Sequence, residues 1–354
     1  MALIKYTSIA FLVLSVFWLQ TRNYDPSKEG ILLVFGGVDP ELRISVTQLD
    51  QAVTYPVQVE NAKDVVLLVH GTGMTTQINW ESTLVAPPAR KGFQPCYLEI
   101  PARLSHNGQI SAEYVNHAIK KVVREHPAAA NDVSIISWSA GALVTQWTLT
   151  FIPRLALGSR DISFWALPTA DPVQQLPWSN FVATPLKFGG GTAQVPTTNI
   201  GSSTNLIVQP SFYGGSFFGR KDSWRLDGPK APNIDLFKVC TSRLITAGFL
   251  PRPFAHESLL WEPASHRVIF DALSNDDSSL GNPDVVSVDE CKPDSAPYLK
   301  AGDKGQHAKI VPELLDFSPT MPTSGWPDVP LRDYASGLQL PKEEEADNHG
   351  KKEI

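Results

Sequence analysis

The chain has 354 residues, 42% of them hydrophobic and nine of them tryptophan, which is enough for a sizeable core in one large α/β domain or two small ones. Its formal net charge is −6 and it contains no long basic run, which argues against a nucleic-acid-binding protein. Abundant proline (29) and glycine (24) suit long loops over a rigid core.

The first 22 residues have the pattern of a targeting segment. Lys5 precedes an apolar stretch from Ile9 to Leu19, and Arg22 follows it. One positive charge before about a dozen apolar residues is typical of a signal peptide or of an uncleaved anchor. We therefore expect residues 1–22 to direct the chain into the secretory pathway. The protein is then secreted, or associated with the ER or Golgi membrane on the lumenal side if the segment is retained. A buried helix is the alternative.

Apolar strand candidates alternate with helical patterns over residues 56–335, which predicts one α/β domain with a mostly parallel central sheet and helices on both faces. Residues 23–55 are predicted to form a polar N-terminal extension. The fully apolar run Val65–Val69 indicates a central strand that is buried on both faces. Further strands are predicted at 96–100, 133–136, 162–167, 206–208 and 234–239, and helices at 110–123, 143–149 and 259–273, the last interrupted at Pro263.

Two regions of the sequence lack regular periodicity. After Asp171 a Pro/Gly-rich stretch extends to Gly191, which predicts an irregular, loop-rich cap suited to covering a pocket. Residues 336–354 are charged and have no apolar pattern, so we expect a disordered tail.

Three cysteines follow the targeting segment. In an oxidising compartment two of them would pair. Cys240 and Cys291 are the favoured pair because they flank the segment that contains His256. Cys96 lies in a strand-like run and is expected to be a buried free thiol.

Ser139 lies where an apolar strand gives way to a helical pattern, in the string Ile135-Ile-Ser-Trp-Ser-Ala-Gly-Ala142. A serine on a tight strand-to-helix turn is typical of a nucleophile elbow. There the hydroxyl is exposed, and the next N–H group, here that of Ala140, faces developing negative charge. The alternative is a serine that caps the helix. The apolar strand before Ser139, and Gly141 after it, favour the nucleophile.

A glycine-rich turn, His70-Gly71-Thr72-Gly73, directly follows the Val65–Val69 strand. In a protein with a nucleophile elbow, a turn at this place supplies the second N–H group of the oxyanion hole. The Thr72 hydroxyl could add a third donor. Alternatively, the glycines only form a tight turn. His70 is expected to be structural, since the base should come after the nucleophile in the chain.

The base is expected late in the chain, after the acid that orients it. His256, one of eight histidines, lies in a loop just before a helical pattern and fits this position. His266 falls inside a helical pattern, and His307 and His349 lie in polar surface stretches. The sequence therefore predicts His256 as the general base.

Several strings together resemble the Candida antarctica lipase B family. They are Val66–Gly73, Gln94–Cys96, Ser137–Gly141, Gln146-Trp147 and, most specifically, Val195–Pro210. The resemblance extends from about Lys63 to Cys291. It implies an α/β-hydrolase fold and an activity that hydrolyses or transfers carboxylic esters. We expect no metal or other cofactor.

The resemblance also implies roles for individual residues. Ser139 would be the nucleophile and His256 the base, with Thr72 and Ala140 forming the oxyanion hole and Trp138 shaping the alcohol side of the pocket. Cys240 and Cys291 match a disulfide of the family, whereas the family partner of Cys96 is missing.

Three departures from the family pattern fall at the site, although the one at Ala140 should matter little because the backbone N–H group is the donor. Asn205 stands where the family has the triad aspartate, Ala140 replaces a usual glutamine, and the string after the 162–167 strand has become Ala166-Leu-Pro-Thr-Ala-Asp171. An asparagine can orient an imidazole but does not stabilise an imidazolium as a carboxylate does. In a serine triad this change lowers turnover about 10⁴-fold.

The altered acid leaves three interpretations. Asp171 could reach His256 and replace the missing acid, Ser-His-Asn could suffice for a slow or activated substrate, or the site could be inactive. We expect a monomeric serine carboxylic-ester hydrolase or lipase that acts on an ester or acyl lipid through an acyl-Ser139 intermediate. The alternatives are a biosynthetic acyltransferase or lactonising enzyme, and an inactive protein that binds an acyl ligand.

Overall fold

The computed structural model describes residues 43–126, 133–152, 159–165, 179–205, 224–274, 280–292, 330–332 and 335, with the backbone alone over 159–165. Several predicted features lie outside these residues. They are the targeting segment, the charged tail, the strand at 206–208, Asp171, His307 and His349.

Seven strands form one sheet within the described ranges, in the order β1-β3-β2-β4-β5-β6-β7. β1 and β3 are antiparallel, and every other neighbouring pair is parallel. The mostly parallel sheet predicted from the sequence is therefore confirmed. The strands are β1 Val53–Thr54, β2 Asp64–Val69, β3 Phe93–Leu98, β4 Val133–Ser139, β5 Ser159–Trp165, β6 Thr197–Gly201 and β7 Asn233–Asp235.

Helices cover both faces of the sheet. Side chains of β2 alternate between two hydrophobic clusters, with Val65, Leu67 and Val69 in one and Val66 and Leu68 in the other. The first cluster contains residues of α1, α3, α4 and α5, and the second contains residues of α6 and α7. The helices are α1 Val46–Gln51, α2 Ala86–Arg90, α3 Gly108–Glu125, α4 Ala140–Phe151, α5 Asn180–Lys187, α6 Leu236–Thr246 and α7 Pro263–Ser274, with a π-helical segment at Gln77–Val85 before α2.

The folded domain begins before residue 56. Residues 46–54, assigned from the sequence to the N-terminal extension, form α1 and β1. Leu49 is fully buried, and Val53 pairs with Leu98 at the edge of the sheet. A two-residue strand is too short to show an alternating pattern, which explains why the sequence did not reveal it.

The predicted strand at 234–239 is wrong beyond its first two residues. β7 ends at Asp235, and α6 begins at Leu236. The Asp235 carboxylate accepts a hydrogen bond from the Lys238 N–H group, so Asp235 is a helix N-cap within an otherwise apolar run.

Part of the predicted loop-rich stretch is helical. Ser179 caps the start of α5 through a hydrogen bond from the Val182 N–H group at 3.1 Å. Phe181 stacks on Trp147 at a centroid distance of 4.4 Å and is buried. Pro185 inside this short helix obscured the pattern.

Candidate active site

Ser139 is the last residue of β4 and lies directly before α4. Its backbone has a φ of 57° and a ψ of −132°, a conformation that a residue with a side chain adopts at a cost of about 1–3 kcal/mol. The Ser139 side chain makes no hydrogen bond to the start of α4. The geometry is thus that of a strand–turn–helix elbow, and the capping alternative lacks the hydrogen bond that it requires.

Two glycines allow the loop after β2 to lie directly against this elbow. A Cβ atom at Gly71 would be 2.5 Å from Cε3 of Trp138 and 2.8 Å from Cβ of Ser139. A Cβ atom at Gly141 would be 2.5 Å from the carbonyl oxygen of His70. Since neither site has room for a side chain, glycine is required at both.

The Gly71–Gly73 loop, which contains the predicted oxyanion donor Thr72, is held by hydrogen bonds from outside the loop. The Gly71 N–H group donates to Oδ1 of Asn79 at 2.9 Å, and the Gly73 N–H group donates to the Arg103 carbonyl at 2.8 Å. The Thr72 hydroxyl donates to the Leu104 carbonyl at 3.2 Å. This hydroxyl must therefore rotate before it can donate to an oxyanion.

A left-handed turn supports this loop. Ala102, Arg103 and Leu104 have φ values of 53°, 52° and 54°, and two of them supply the carbonyl groups that hold Gly73 and Thr72. Each such residue costs about 1–3 kcal/mol, so the surrounding contacts must stabilise the turn. No sequence pattern predicts this turn, since none of the three residues is glycine or asparagine.

His70 is a buried structural histidine, as its position in the sequence indicated. Its Nε2 accepts a hydrogen bond from the Ile100 N–H group at 3.0 Å, and Nδ1–H donates to the Gly71 carbonyl at 2.7 Å. Burial lowers the pKa of His70 below its ordinary value. Both ring nitrogens are thus occupied, and the ring is neutral.

His256 is held in a buried loop before α7. Thr204 clamps the preceding segment, because its Oγ1 accepts from the Phe254 N–H group at 2.9 Å and donates to the Phe254 carbonyl at 3.3 Å. Arg252 forms an ion pair with buried Glu262 and donates to the Cys291 carbonyl at 2.8 Å. These contacts hold the segment before His256 and join it to Glu262, six residues after His256.

The predicted disulfide is present. Cys240 and Cys291 are bonded, with their Cα atoms 5.2 Å apart. Cys96 is a buried free thiol. The bond joins α6 to the segment that Arg252 contacts, and so anchors the region around His256.

Asn205 lies beside His256, as the resemblance implied. Its Nδ2 atom is 3.2 Å from Nδ1 of His256. An amide NH₂ group can only donate, so Nδ1 accepts and the proton of the neutral ring is on Nε2. His256 Nε2 has no hydrogen-bond partner among the residues that the structure describes.

This arrangement holds the imidazole in the tautomer that cannot accept a proton from Ser139. Rotating the Asn205 amide by half a turn would present Oδ1 to an Nδ1–H group and leave the Nε2 lone pair available. Asp171, the other candidate for the acid, lies outside the described residues.

Burial lowers the pKa of His256 from 6.5 to about 3. The side chain is 3% exposed, and within the described ranges no charged group forms an ion pair with it. A neutral, desolvated imidazole is available as a base over a wide pH range, but the imidazolium formed by proton transfer is poorly stabilised.

Trp138 contacts the imidazole directly. The two rings stack with a centroid distance of 4.7 Å and an interplanar angle of 20°, and Trp138 is 2% exposed. The resemblance assigned Trp138 only to the alcohol side of the pocket. The contact with His256 was missed because it joins residues 118 positions apart.

Neither a metal centre nor a membrane span is found in the described part of the chain. No group of three or more His, Cys, Asp or Glu side chains there is arranged to hold a metal ion. Likewise, none of the described helices is long and apolar enough to cross a membrane.

Comparison with known proteins places the fold. No protein-family model matches the chain. The chain is 30% identical to lipase B of Pseudozyma antarctica over 191 residues, which is 49% of this chain and 55% of that protein, so the match spans about half of each. The solved structure of Aspergillus fumigatus lipase B superposes with a TM-score of 0.72 at 24% identity, covering 89% of this chain and 77% of the other. The resemblance to the lipase B family is confirmed, and the fold is the α/β-hydrolase fold.

Proposed function

We propose, from this resemblance, that the protein is a lipase- or esterase-like serine hydrolase of carboxylic esters, with Ser139 as nucleophile and His256 as base. The observation that carries the proposal is the conformation of Ser139. Its elbow geometry beside the Gly71–Gly73 loop, with the His256 ring against the neighbouring Trp138, suits attack on a carbonyl carbon.

Acylation in this proposal proceeds in two steps. Ser139 Oγ bonds to the ester carbonyl carbon while its proton passes to Nε2 of His256. The carbonyl electron pair moves onto oxygen, which the N–H groups of Thr72 and Ala140 stabilise. The bond to the alcohol oxygen then breaks, and that oxygen takes the proton from Nε2, leaving acyl-Ser139.

Deacylation repeats these steps with water as the nucleophile. His256 takes a proton from the water as its oxygen bonds to the acyl carbon, and returns it to Ser139 Oγ as the acid departs. An acceptor alcohol in place of water gives transfer or lactonisation instead.

Asn205 slows both acylation and deacylation. Proton uptake at Nε2 requires the Asn205 amide to turn so that Oδ1 accepts from Nδ1–H, and the imidazolium then faces a neutral amide. The equivalent change in a serine triad lowers turnover about 10⁴-fold. The substrates best suited to such a site have a good leaving group, which departs without needing a proton.

One feature favours the second candidate function, an inactive protein that binds an acyl ligand. The amide NH₂ of Asn205, rather than its oxygen, faces His256 Nδ1. If the amide never turns, Nε2 keeps its proton and the hydroxyl of Ser139 is not activated.

The proposed location is the secretory pathway. The Cys240–Cys291 disulfide supports it, because such bonds persist in oxidising compartments. The apolar pattern of residues 1–22 supports it as well. Secretion, or retention at the lumenal membrane surface, depends on whether that segment is cleaved.

The test is covalent labelling of the purified protein with a fluorophosphonate, read by intact mass and peptide mapping. We expect one adduct, on Ser139, that is lost in Ser139→Ala and His256→Ala. Ser203→Ala serves as a matched control, because Ser203 is buried close to Asn205 and its hydroxyl has no hydrogen-bond partner within the described residues. An unlabelled wild-type protein that binds a fluorescent fatty acid would instead identify a binding protein.

A further inference from the structure

The imidazole of His256 lies against an aromatic face and has no carboxylate beside it among the described residues. The indole of Trp138 is nearly parallel to it at 4.7 Å. A cation within about 6 Å of an indole centroid is attracted by the negative face of the ring, and tryptophan is the strongest such partner. The stacked ring is the one that becomes a cation when Ser139 is deprotonated.

We propose that the face of Trp138 stabilises the imidazolium of His256 and so replaces part of the effect of the missing triad carboxylate. The inference rests on the proposed function, and deepens it by assigning Trp138 a positioning and electrostatic role. Trp138 acts through His256 and does not itself exchange a proton.

Among the residues that the structure describes, the indole is the main electrostatic partner of His256. Asn205 contributes a neutral amide, and Phe254, two residues before His256, is fully buried. Glu257 follows His256 in the chain but forms no ion pair with it, and burial alone accounts for the lowered pKa of His256. Arg252, four residues before His256, is paired with Glu262. In this desolvated position a π-face interaction is worth more than at a surface, since water does not compete for the cation.

The position of the indole is set by packing. Trp138 Nε1 has no hydrogen-bond partner among the described residues. Gly71 leaves the space that the ring edge occupies, because a Cβ atom there would lie 2.5 Å from Cε3 and 2.7 Å from Cζ3. One glycine therefore brings the oxyanion loop to Ser139 and also permits the stack on His256.

The competing role for Trp138 is steric, as a wall of the alcohol pocket. The two roles respond differently to fluorine. Fluorination of the indole removes negative charge from its face but changes its size little, so a steric role is insensitive to it.

The experiment is site-specific incorporation of tryptophan with zero, one, two or three ring fluorines at position 138 of the full chain. Hydrolysis of a p-nitrophenyl ester is measured as kcat and KM. We expect kcat to fall about twofold to threefold per fluorine, with KM nearly constant, because each fluorine weakens the attraction for the cation. A kcat that does not change with the number of fluorines would overturn the inference.

Trp147 provides the matched control. It is also buried and stacks at an interplanar angle of 17°, but on the neutral ring of Phe181. Fluorination there should leave kcat unchanged. An equal decline at both positions would mean a general effect on folding and would contradict a specific role for Trp138.

Repeating the fluorotryptophan series at position 138 in the Asn205→Asp variant tests whether Trp138 compensates for the missing carboxylate. With a carboxylate beside Nδ1, kcat should decline less per fluorine, and an equal decline would refute the idea that Trp138 compensates for Asn205. Failure of the proposed function is distinguishable, because the unmodified protein would then show neither ester hydrolysis nor fluorophosphonate labelling of Ser139.

Discussion

The two sides of the candidate site depend on different kinds of chemical group. The nucleophile side, made of the Gly71–Gly73 loop, Ser139 and Ala140, depends on backbone conformation and on two close-packed glycines. The base side, made of Asn205, His256 and Trp138, depends on neutral side chains in a buried loop. Oxyanion stabilisation through backbone N–H groups needs no charged residue, whereas the imidazolium formed by proton transfer is normally stabilised by a carboxylate. In the function that we propose, proton transfer is therefore the step that the replacement of the triad carboxylate by Asn205 slows.

The largest effect is expected from restoring charge to the base side. Asn205→Asp puts a carboxylate at 3.2 Å from Nδ1, where it selects the Nδ1–H tautomer and stabilises the imidazolium. We expect kcat for ester hydrolysis to rise by a factor of about 10² to 10⁴. Asn205→Leu is the control, since it removes the hydrogen bond without adding charge and should not produce this rise in kcat. An unchanged or lower kcat in Asn205→Asp would mean that another group orients His256.

Breaking the nucleophile side should have the next largest effect. In Gly141→Ala the new methyl group would lie 2.5 Å from the His70 carbonyl oxygen, so either the elbow or the loop after β2 must move. A displacement of about 1 Å at a reacting group can cost about 10²-fold in rate, and we expect a loss of that order in kcat. Gly191→Ala is a suitable control, because its Cβ atom would meet only Cδ2 of Leu186, at 3.2 Å. Normal activity in Gly141→Ala would show that the close approach is dispensable.

The pH dependence of kcat/KM tests the base side by comparing the wild type with Asn205→Asp. A histidine base works when it is neutral, that is, above its pKa, and burial holds the pKa of His256 at about 3. The wild type should therefore keep its kcat/KM down to about pH 4. In Asn205→Asp the carboxylate favours the imidazolium and raises this pKa, so activity should be lost at a higher pH. Identical acid limbs in the two proteins would contradict a direct interaction between position 205 and His256.

The smallest effect is expected at Thr72. Its hydroxyl donates to the Leu104 carbonyl and must turn to reach an oxyanion, which offsets part of its benefit. Thr72→Val should lower kcat about tenfold, below the 10² to 10³ typical of a dedicated oxyanion donor. Thr72→Ser keeps the hydroxyl and should retain most activity. A loss as large as 10³ in Thr72→Val would mean that the hydroxyl is a principal donor.

Local patterns predicted the framework of the molecule well. The apolar runs at β2 and β4 and the periodicity of α3 reflect burial that each segment achieves in any α/β sheet, so they were visible in the sequence. β6 was not, because its buried Thr197–Gly201 run is mostly polar. The start of α6 was missed because Asp235, a cap, lies inside an apolar run.

Only the part of the site that lies in local sequence patterns could be predicted from those patterns. Ser139 and the glycine-rich loop follow from the strand–turn–helix pattern. The proximity of Asn205 to His256 came from the family resemblance, because nothing local links residues 51 positions apart. The ring stack on Trp138, the tautomer that Asn205 selects and the left-handed turn at Ala102–Leu104 are products of tertiary packing, and no sequence pattern indicates them.

The central claim is that Ser139 accepts an acyl group and that the neutral base side limits its removal. Rapid-quench mass spectrometry after mixing the protein with a p-nitrophenyl ester tests this directly. Acylation by this ester needs His256 only as the base for Ser139, since p-nitrophenolate leaves without a proton, whereas deacylation needs His256 both to take a proton from water and to return it to Ser139. We expect a burst of about one p-nitrophenolate per protein and an acyl adduct that maps to Ser139 and decays slowly, faster in Asn205→Asp. No adduct on Ser139, or one that decays equally fast in both proteins, would contradict the account.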